Sequence, residues 1–393
     1  MPNSDHTAAE SALGYLYQAE FALLEFIKRS RSEPSLRLSL EVFDDITFEH
    51  DGGPKDLLQT KHHINSRGSL SDASVDLWKT LGGWIDASRS DIAGFDVLTL
   101  SLITTTAASE ESAAASLRAV DRDVSRALGI LERTAQVSTN VQNQDSYEKF
   151  LGLSPDQRLA LLGRVVVMDS AMTIVDIPGS LVPELRFAVA PRYLHALVDR
   201  LIGWWHNRVI KHFLTDGDRI LTEEVDSEIR YLADLLRSDN LPIDIGVDDV
   251  TIEELENDDR VFIHQLQLIA AARPTLELAI RDYKRAYLQR SKWLEDQLVW
   301  PSELRTYEQR LIDEWEHQFA FIGDGSTQEE SDLVEVGRSL YQTLQNENLW
   351  IRPRCQERFV PRGSFHMLSD ELKVGWHPKF IERLRELLSE DAG

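Results

Sequence analysis

A single cysteine, Cys355, among 393 residues excludes internal disulfides and any zinc site built from several thiolates. No apolar run reaches the roughly 18 residues that a membrane-spanning helix needs. Residues 1–14 are polar and lack a basic and then apolar export signal, so a cytoplasmic location is expected. Basic charge is scarce too: 42 Lys and Arg face 66 Asp and Glu, a net charge of −24, and most of the acidity falls after residue 210. A protein that grips nucleic acid constitutively replaces phosphate counterions with Lys and Arg. This balance excludes long-range attraction to DNA. Either nucleic acid is not the ligand, or it is handled transiently, through a metal ion in a local groove or on a basic track supplied by a partner or an oligomer. There is no glycine-rich loop ending in Lys-Ser/Thr, so ATP hydrolysis by the chain alone is not expected, and no Gly-x-Ser-x-Gly or His-Glu-x-x-His signature.

Periodicity supplies the organisation. Thr7-Ala8-Ala9-Glu10 reads as a capping box, followed by Leu13, Tyr17, Phe21 and Leu24 on one helical face up to the break at Ser30–Pro34. From Leu36 to Phe48 the residues alternate: Leu36, Leu38, Leu40, Val42, Ile46 and Phe48 share one parity, Glu41, Phe43, Asp45 and Thr47 the other. That is a strand, or a strand with a bend. Asp51-Gly52-Gly53-Pro54 turns into a second strand over 56–62, as a hairpin. A helix at Ser74–Ser88 and a buried strand at Phe95–Thr104 complete an α-β-β-α-β order, which suits a small mixed sheet flanked by helices. Further on come a helical stretch at Glu110–Ala135, a strand at Val165–Met168 and a helix at Leu194–Phe213. The polar turn Thr215-Asp216-Gly217-Asp218 suggests a boundary, giving domains at 1–215 and 216–393, the second mostly helical with a loop at Gly323–Ser326.

One constellation carries chemistry. The hairpin brings Glu41, Asp45, Gln59 and Lys61 near one another, and each pair within a strand is an even number of positions apart, so each pair shares a face. Asp45, with the carbonyl of Thr60 and Gln59 or Glu41, would make the oxygen-rich shell that Mg²⁺ (or Mn²⁺) prefers. Lys61 would hold an attacking water and neutralise charge building on a phosphate. Carboxylates beside a lysine on adjacent strands also form plain solvated faces with cross-strand ion pairs, and the spacing leaves both readings open. Asp44, on the apolar parity, replaces Asp45 as the ligand if the strand is bulged. His62 and His63 read as solvated edge residues or as substrate contacts, Trp204-Trp205-His206 as core packing. His366 and His377 lack the spacing and companions of a metal site.

Gly14-Tyr15-Leu16-Tyr17-Gln18, Glu41-Val42-Phe43-Asp44-Asp45-Ile46 and Leu58-Gln59-Thr60-Lys61-His62, in that order, resemble the PD-(D/E)XK nuclease domain on effectors of bacterial anti-phage systems. Such domains occur on CD-NTase-associated endonucleases and on the nuclease subunit of Lamassu, or ABC-three-component, systems. The resemblance spans residues 8–110. It implies an active site of Gln18, Asp45, Gln59 and Lys61. Gln59 stands where most of the wider superfamily carries an acid, which removes a metal-ligating charge and gives Glu41 more weight. Ile280–Tyr287, Ile312–Trp315, Pro361–Gly363 and Val374–Pro378 are similar to C-terminal domains of ABC-three-component proteins. That similarity implies docking onto an SMC-like ATPase and a small middle component. The resulting expectation is a Mg²⁺-dependent endodeoxyribonuclease of double-stranded DNA, held inactive by partners and activated by self-association when foreign DNA is sensed. RNA cleavage, and a scaffold whose nuclease fold has lost its chemistry, are the alternatives.

Overall fold

The computed structural model describes residues 4–42, 44–50, 53–61, 69–89, 97–215, 218–250, 259–322 and 329–390. Asp51 and Gly52 of the expected turn, His62 and His63, Phe95, Asp216 and Gly217, and the Gly323–Ser326 loop lie outside the described residues. The chain divides into two compact units, Met1–Ala188 with Leu197–Leu232, and Val189–Ala196 with Ala233–Gly393.

The first unit opens with α1 (Ser4–Ser30). The helix starts ahead of Thr7, which therefore lies inside it. Tyr17, Phe21 and Leu24 are buried on one face. The alternating stretch that follows is two strands, β1 (Arg37–Leu40) and β2 (Ile46–His50), joined by a turn at residues 41–45 and paired antiparallel with Leu38 opposite Phe48 and Leu40 opposite Ile46. The expectation of a strand, straight or with a bend, gives way to a hairpin because cross-strand partners project to the same face, so the period-2 pattern runs through the turn unbroken. β3 (Gly53–Lys61) pairs antiparallel with β2, as the hairpin reading expects.

β4 (Thr99–Thr104) lies parallel to β3, which requires a crossover; α2 (Val75–Arg89) makes it. Its Leu77, Trp78, Leu81, Trp84 and Ile85 recur at helical spacing and pack on the sheet with Leu57, Leu100 and Leu102. The stretch expected as one helix at Glu110–Ala135 is two, α3 (Ala113–Ser116) and α4 (Val124–Val137), the second started by the Asp123 carboxylate accepting from the Arg126 N–H. After α5 (Gln144–Leu151) and α6 (Pro155–Arg164), β5 (Val165–Met168) pairs parallel to β4. α7 (Ile177–Leu185), α8 (Leu194–Leu214), β6 (Ile220–Leu221) and α9 (Thr222–Leu235) follow. β6 pairs antiparallel with β1, and the mixed sheet has the order β5-β4-β3-β2-β1-β6. Trp205 of α8 is buried and donates its indole N–H to the Ala19 carbonyl at 2.7 Å, a packing role.

The second unit is helical: α10 (Val261–Leu268), α11 (Arg273–Glu295), α12 (Pro301–Ala320), α13 (Glu330–Asn346), α14 (Phe359–Asp370) and α15 (Phe380–Glu390). α11 and α14 touch at Gly363, where an added Cβ would stand 2.0 Å from the Asp282 carbonyl oxygen. Among the described residues no helix is long and apolar enough to cross a membrane.

Candidate functional site

The turn between β1 and β2 carries three carboxylates, and three neighbours, Gln18, Thr60 and Trp84, hold it. Glu41 adopts φ 55, a left-handed conformation that costs a non-glycine residue about 1–2 kcal/mol. Its N–H donates to the Asp45 carbonyl at 3.2 Å and closes the turn. Gln18 of α1 donates its amide to the Glu41 carboxylate at 3.1 Å and to the Asp45 carbonyl at 2.5 Å. Asp45 accepts from both the backbone N–H and the hydroxyl of Thr60, at 2.8 and 2.9 Å. The Asp44 carboxylate accepts from the Asp45 N–H at 2.9 Å and from the Trp84 indole at 2.7 Å.

These bonds divide the motif between the two faces of the sheet. On the α1 side Phe26 meets Phe48, and Arg29 pairs with Asp56 at 2.5 Å. Asp56, Leu58 and Thr60 of β3 therefore face α1, and Asp45 joins them through Thr60. Leu57, Gln59 and Lys61 occupy the alternate positions and face α2, where Leu57 belongs to the same apolar core as Trp84. Asp44 turns to that side, as its bond to Trp84 shows. The structure thus brings Gln18, Glu41, Asp45 and Thr60 together on one face. It sets Gln59 and Lys61 on the other, with Asp44. The alternation over residues 36–48 predicts a strand, straight or bent; the turn at 41–45 releases Asp44 and Asp45 from it and points them to opposite sides.

The two faces differ chemically. The α1 face holds a cleft of about 320 Å³ lined by Ser11, Gly14, Tyr15, Gln18, Glu41, Asp45 and Thr60. Its carboxylates already accept hydrogen bonds from Gln18 and Thr60. On the α2 face burial pushes the Asp44 carboxyl up to about 6, against the pull of the Trp84 and Asp45 N–H groups and of the Lys61 charge. Asp44 is thus a carboxylate whose charge its surroundings only partly compensate. Among the described residues no group of three or more His, Cys, Asp and Glu could hold a metal ion. One carboxylate with neutral oxygens from Gln59 and the backbone does fit a hard cation such as Mg²⁺, which keeps several waters and takes its remaining oxygens from phosphate. Trp84 had no sequence signal as a site residue, since its helical spacing marked it only as core.

The second unit gives a different kind of result. Its buried contacts are built from residues of the sequence motifs: Gly363 on Asp282, the Trp315 indole donating to the Gly375 carbonyl at 2.7 Å, and His377 accepting from the Lys379 N–H at 3.1 Å. Residues 262–384 match the family model of C-terminal domain 7 of the ABC-three component (ABC-3C) systems. Over these residues the helical unit is similar to that ABC-3C domain. The motifs at Ile280–Tyr287, Ile312–Trp315, Pro361–Gly363 and Val374–Pro378 all fall inside the match. In the helical unit His366 is enclosed by Phe262, Tyr341 and Trp376, and burial pushes its imidazole down to about 3, so it is a neutral residue of the core. No curated protein matches the chain.

Proposed function

We propose that the chain is the nuclease effector of an ABC-3C anti-phage system, with a Mg²⁺-dependent (or Mn²⁺-dependent) site for double-stranded DNA on the α2 face of its sheet. The observation that carries this reading is Asp44, a half-buried carboxylate on the face that also presents Gln59 and Lys61. Asp44, the Gln59 amide oxygen and the Thr60 carbonyl would hold the cation. When bound, the ion supplies Lewis-acid polarisation of a phosphoryl oxygen and a water of lowered pKa. Trp84 fixes the Asp44 carboxylate through its indole N–H. Lys61 places a positive charge where the phosphate gains negative charge and holds the attacking water by its ammonium N–H groups. Gln18, Glu41 and Asp45 set the turn that presents Asp44.

The charge of −24 supports a requirement for partners, because the chain alone attracts DNA weakly. An SMC-like ATPase and a small middle component would dock through the ABC-3C domain and hold the effector at rest. Self-association on sensing foreign DNA would then sum weak contacts through effective concentration. The scaffold reading draws on one observation, the lack of a three-acid cluster among the described residues.

The test is cleavage of plasmid, linear duplex, single-stranded DNA and RNA by the chain with Mg²⁺ or EDTA, beside Lys61→Ala. Duplex cutting that needs both the metal and Lys61 supports the nuclease. Absence of cutting with partner components and DNA ends present supports the scaffold.

A further inference from the structure

The turn that presents Asp44 has a support far away in the sequence. β6 pairs with β1 only at Arg37 and Leu38, so at Leu40 the edge of β1 has no strand beside it. The gap is filled by a side chain. His212 of α8 is fully buried; its Nε2 lies 3.0 Å from the Leu40 N–H nitrogen and 3.1 Å from the Leu40 carbonyl, and its Nδ1 lies 2.5 Å from the Asp218 carbonyl. The network fixes the tautomer. Leu40 N–H can only donate, so Nε2 accepts and Nδ1 carries the proton that goes to Asp218. The ring therefore replaces the missing strand, bridging the last residue of β1 to the segment that leads into β6.

We propose that His212 is a positioning residue for the site on the α2 face. Leu40 immediately precedes the Glu41–Asp45 turn, and the backbone there is held at φ 55 against its own preference. A buried N–H left without an acceptor cannot persist at low cost, so losing the ring lets the start of the turn move. The displacement reaches Asp44 within four residues and loosens its bond to the Trp84 indole. A shift of about 1 Å at a reacting group lowers turnover about a hundredfold. This inference rests on the nuclease reading for its kinetic consequence, but its structural content does not.

The experiment compares His212→Ala and His212→Gln with the parent chain. It reads the Trp84 indole N–H resonance, assigned with Trp84→Phe, the amide exchange of residues 40–46, and Mg²⁺-dependent DNA cleavage. Expected in His212→Ala are a cooperative melt, a shifted Trp84 resonance, faster exchange across 40–46 and a kcat lower by about a hundredfold with KM little changed. His212→Gln, whose amide oxygen can accept from Leu40, should recover most of each signal. Should the alanine variant fail to fold, the glutamine variant compared with His212→Leu decides by the same resonances. An unmoved Trp84 resonance and unchanged exchange in a folded His212→Ala overturn the proposal. If the parent chain cuts nothing even with partner components and DNA ends present, the nuclease reading fails, while exchange and the Trp84 signal still decide whether His212 holds the turn.

Discussion

Replacing Asp44 by asparagine should stabilise the first unit while abolishing its proposed activity. Asparagine keeps the shape and an oxygen that can accept the Trp84 N–H, but removes a charge that burial disfavours. The rise of the carboxyl from 3.8 to about 6 is equivalent to about 3 kcal/mol at most, and its partial exposure reduces this to about 1–3 kcal/mol. The sign follows from proton linkage. The folded state binds the proton more tightly than the unfolded chain, so the cost of the charge is fully present above pH 6 and disappears as pH falls towards 3.8. Metal-free Asp44→Asn should therefore melt several degrees above the parent chain at pH 7.5, and the gap should close by pH 4. Calorimetric melts across that pH range, in EDTA, read the effect directly. Added Mg²⁺ should raise the melting temperature of the parent chain and leave the variant unmoved. A variant less stable than the parent at pH 7.5, or a gap independent of pH, would refute the assignment of a carboxylate whose charge its surroundings only partly compensate.

Other perturbations test separate parts of the account. Thr60→Val removes the hydroxyl bond to Asp45 and should cost about 1 kcal/mol in denaturant unfolding, with cleavage reduced less than tenfold. Gly363→Ala forces a methyl against the Asp282 carbonyl and should destabilise the helical unit by about 3 kcal/mol, visible as early proteolysis of that unit. His366, held neutral down to about 3 by burial, gives the helical unit the opposite pH slope from Asp44. The unfolded chain takes up the proton first, so stability falls as pH drops below 6.5, by up to about 1.4 kcal/mol per pH step, and His366→Leu should flatten that slope in melts from pH 7 to 4.

Much of the sheet was legible because its signals are local. The β2 to β3 hairpin, the α2 face marked by Leu77, Trp78, Leu81, Trp84 and Ile85, and the apolar Val165–Met168 run each announce themselves within a few residues. The turn at Glu41–Asp45 did not. It contains neither glycine nor proline, and the antiparallel pairs Leu38 with Phe48 and Leu40 with Ile46 preserve the alternation on both sides of it. A period-2 pattern cannot report such a reversal, and the faces of Asp44 and Asp45 depend on it. β6 was illegible for another reason: its two residues have no pattern of their own, and their place is set by pairing with a strand about 180 residues earlier. His212, whose partners Leu40 and Asp218 come together only in the folded chain, carries no sequence signal beyond its position on an apolar helix.

The most direct test of the central claim is the Mg²⁺-dependent cleavage rate of duplex DNA by Asp44→Asn and Asp45→Asn, measured side by side with the ABC-3C partner components present. The account predicts that Asp44→Asn, like Lys61→Ala, cuts nothing while remaining folded, whereas Asp45→Asn keeps activity within about tenfold, since its oxygen can still accept from Thr60. Wild-type cleavage by Asp44→Asn would contradict the placement of the site on the α2 face.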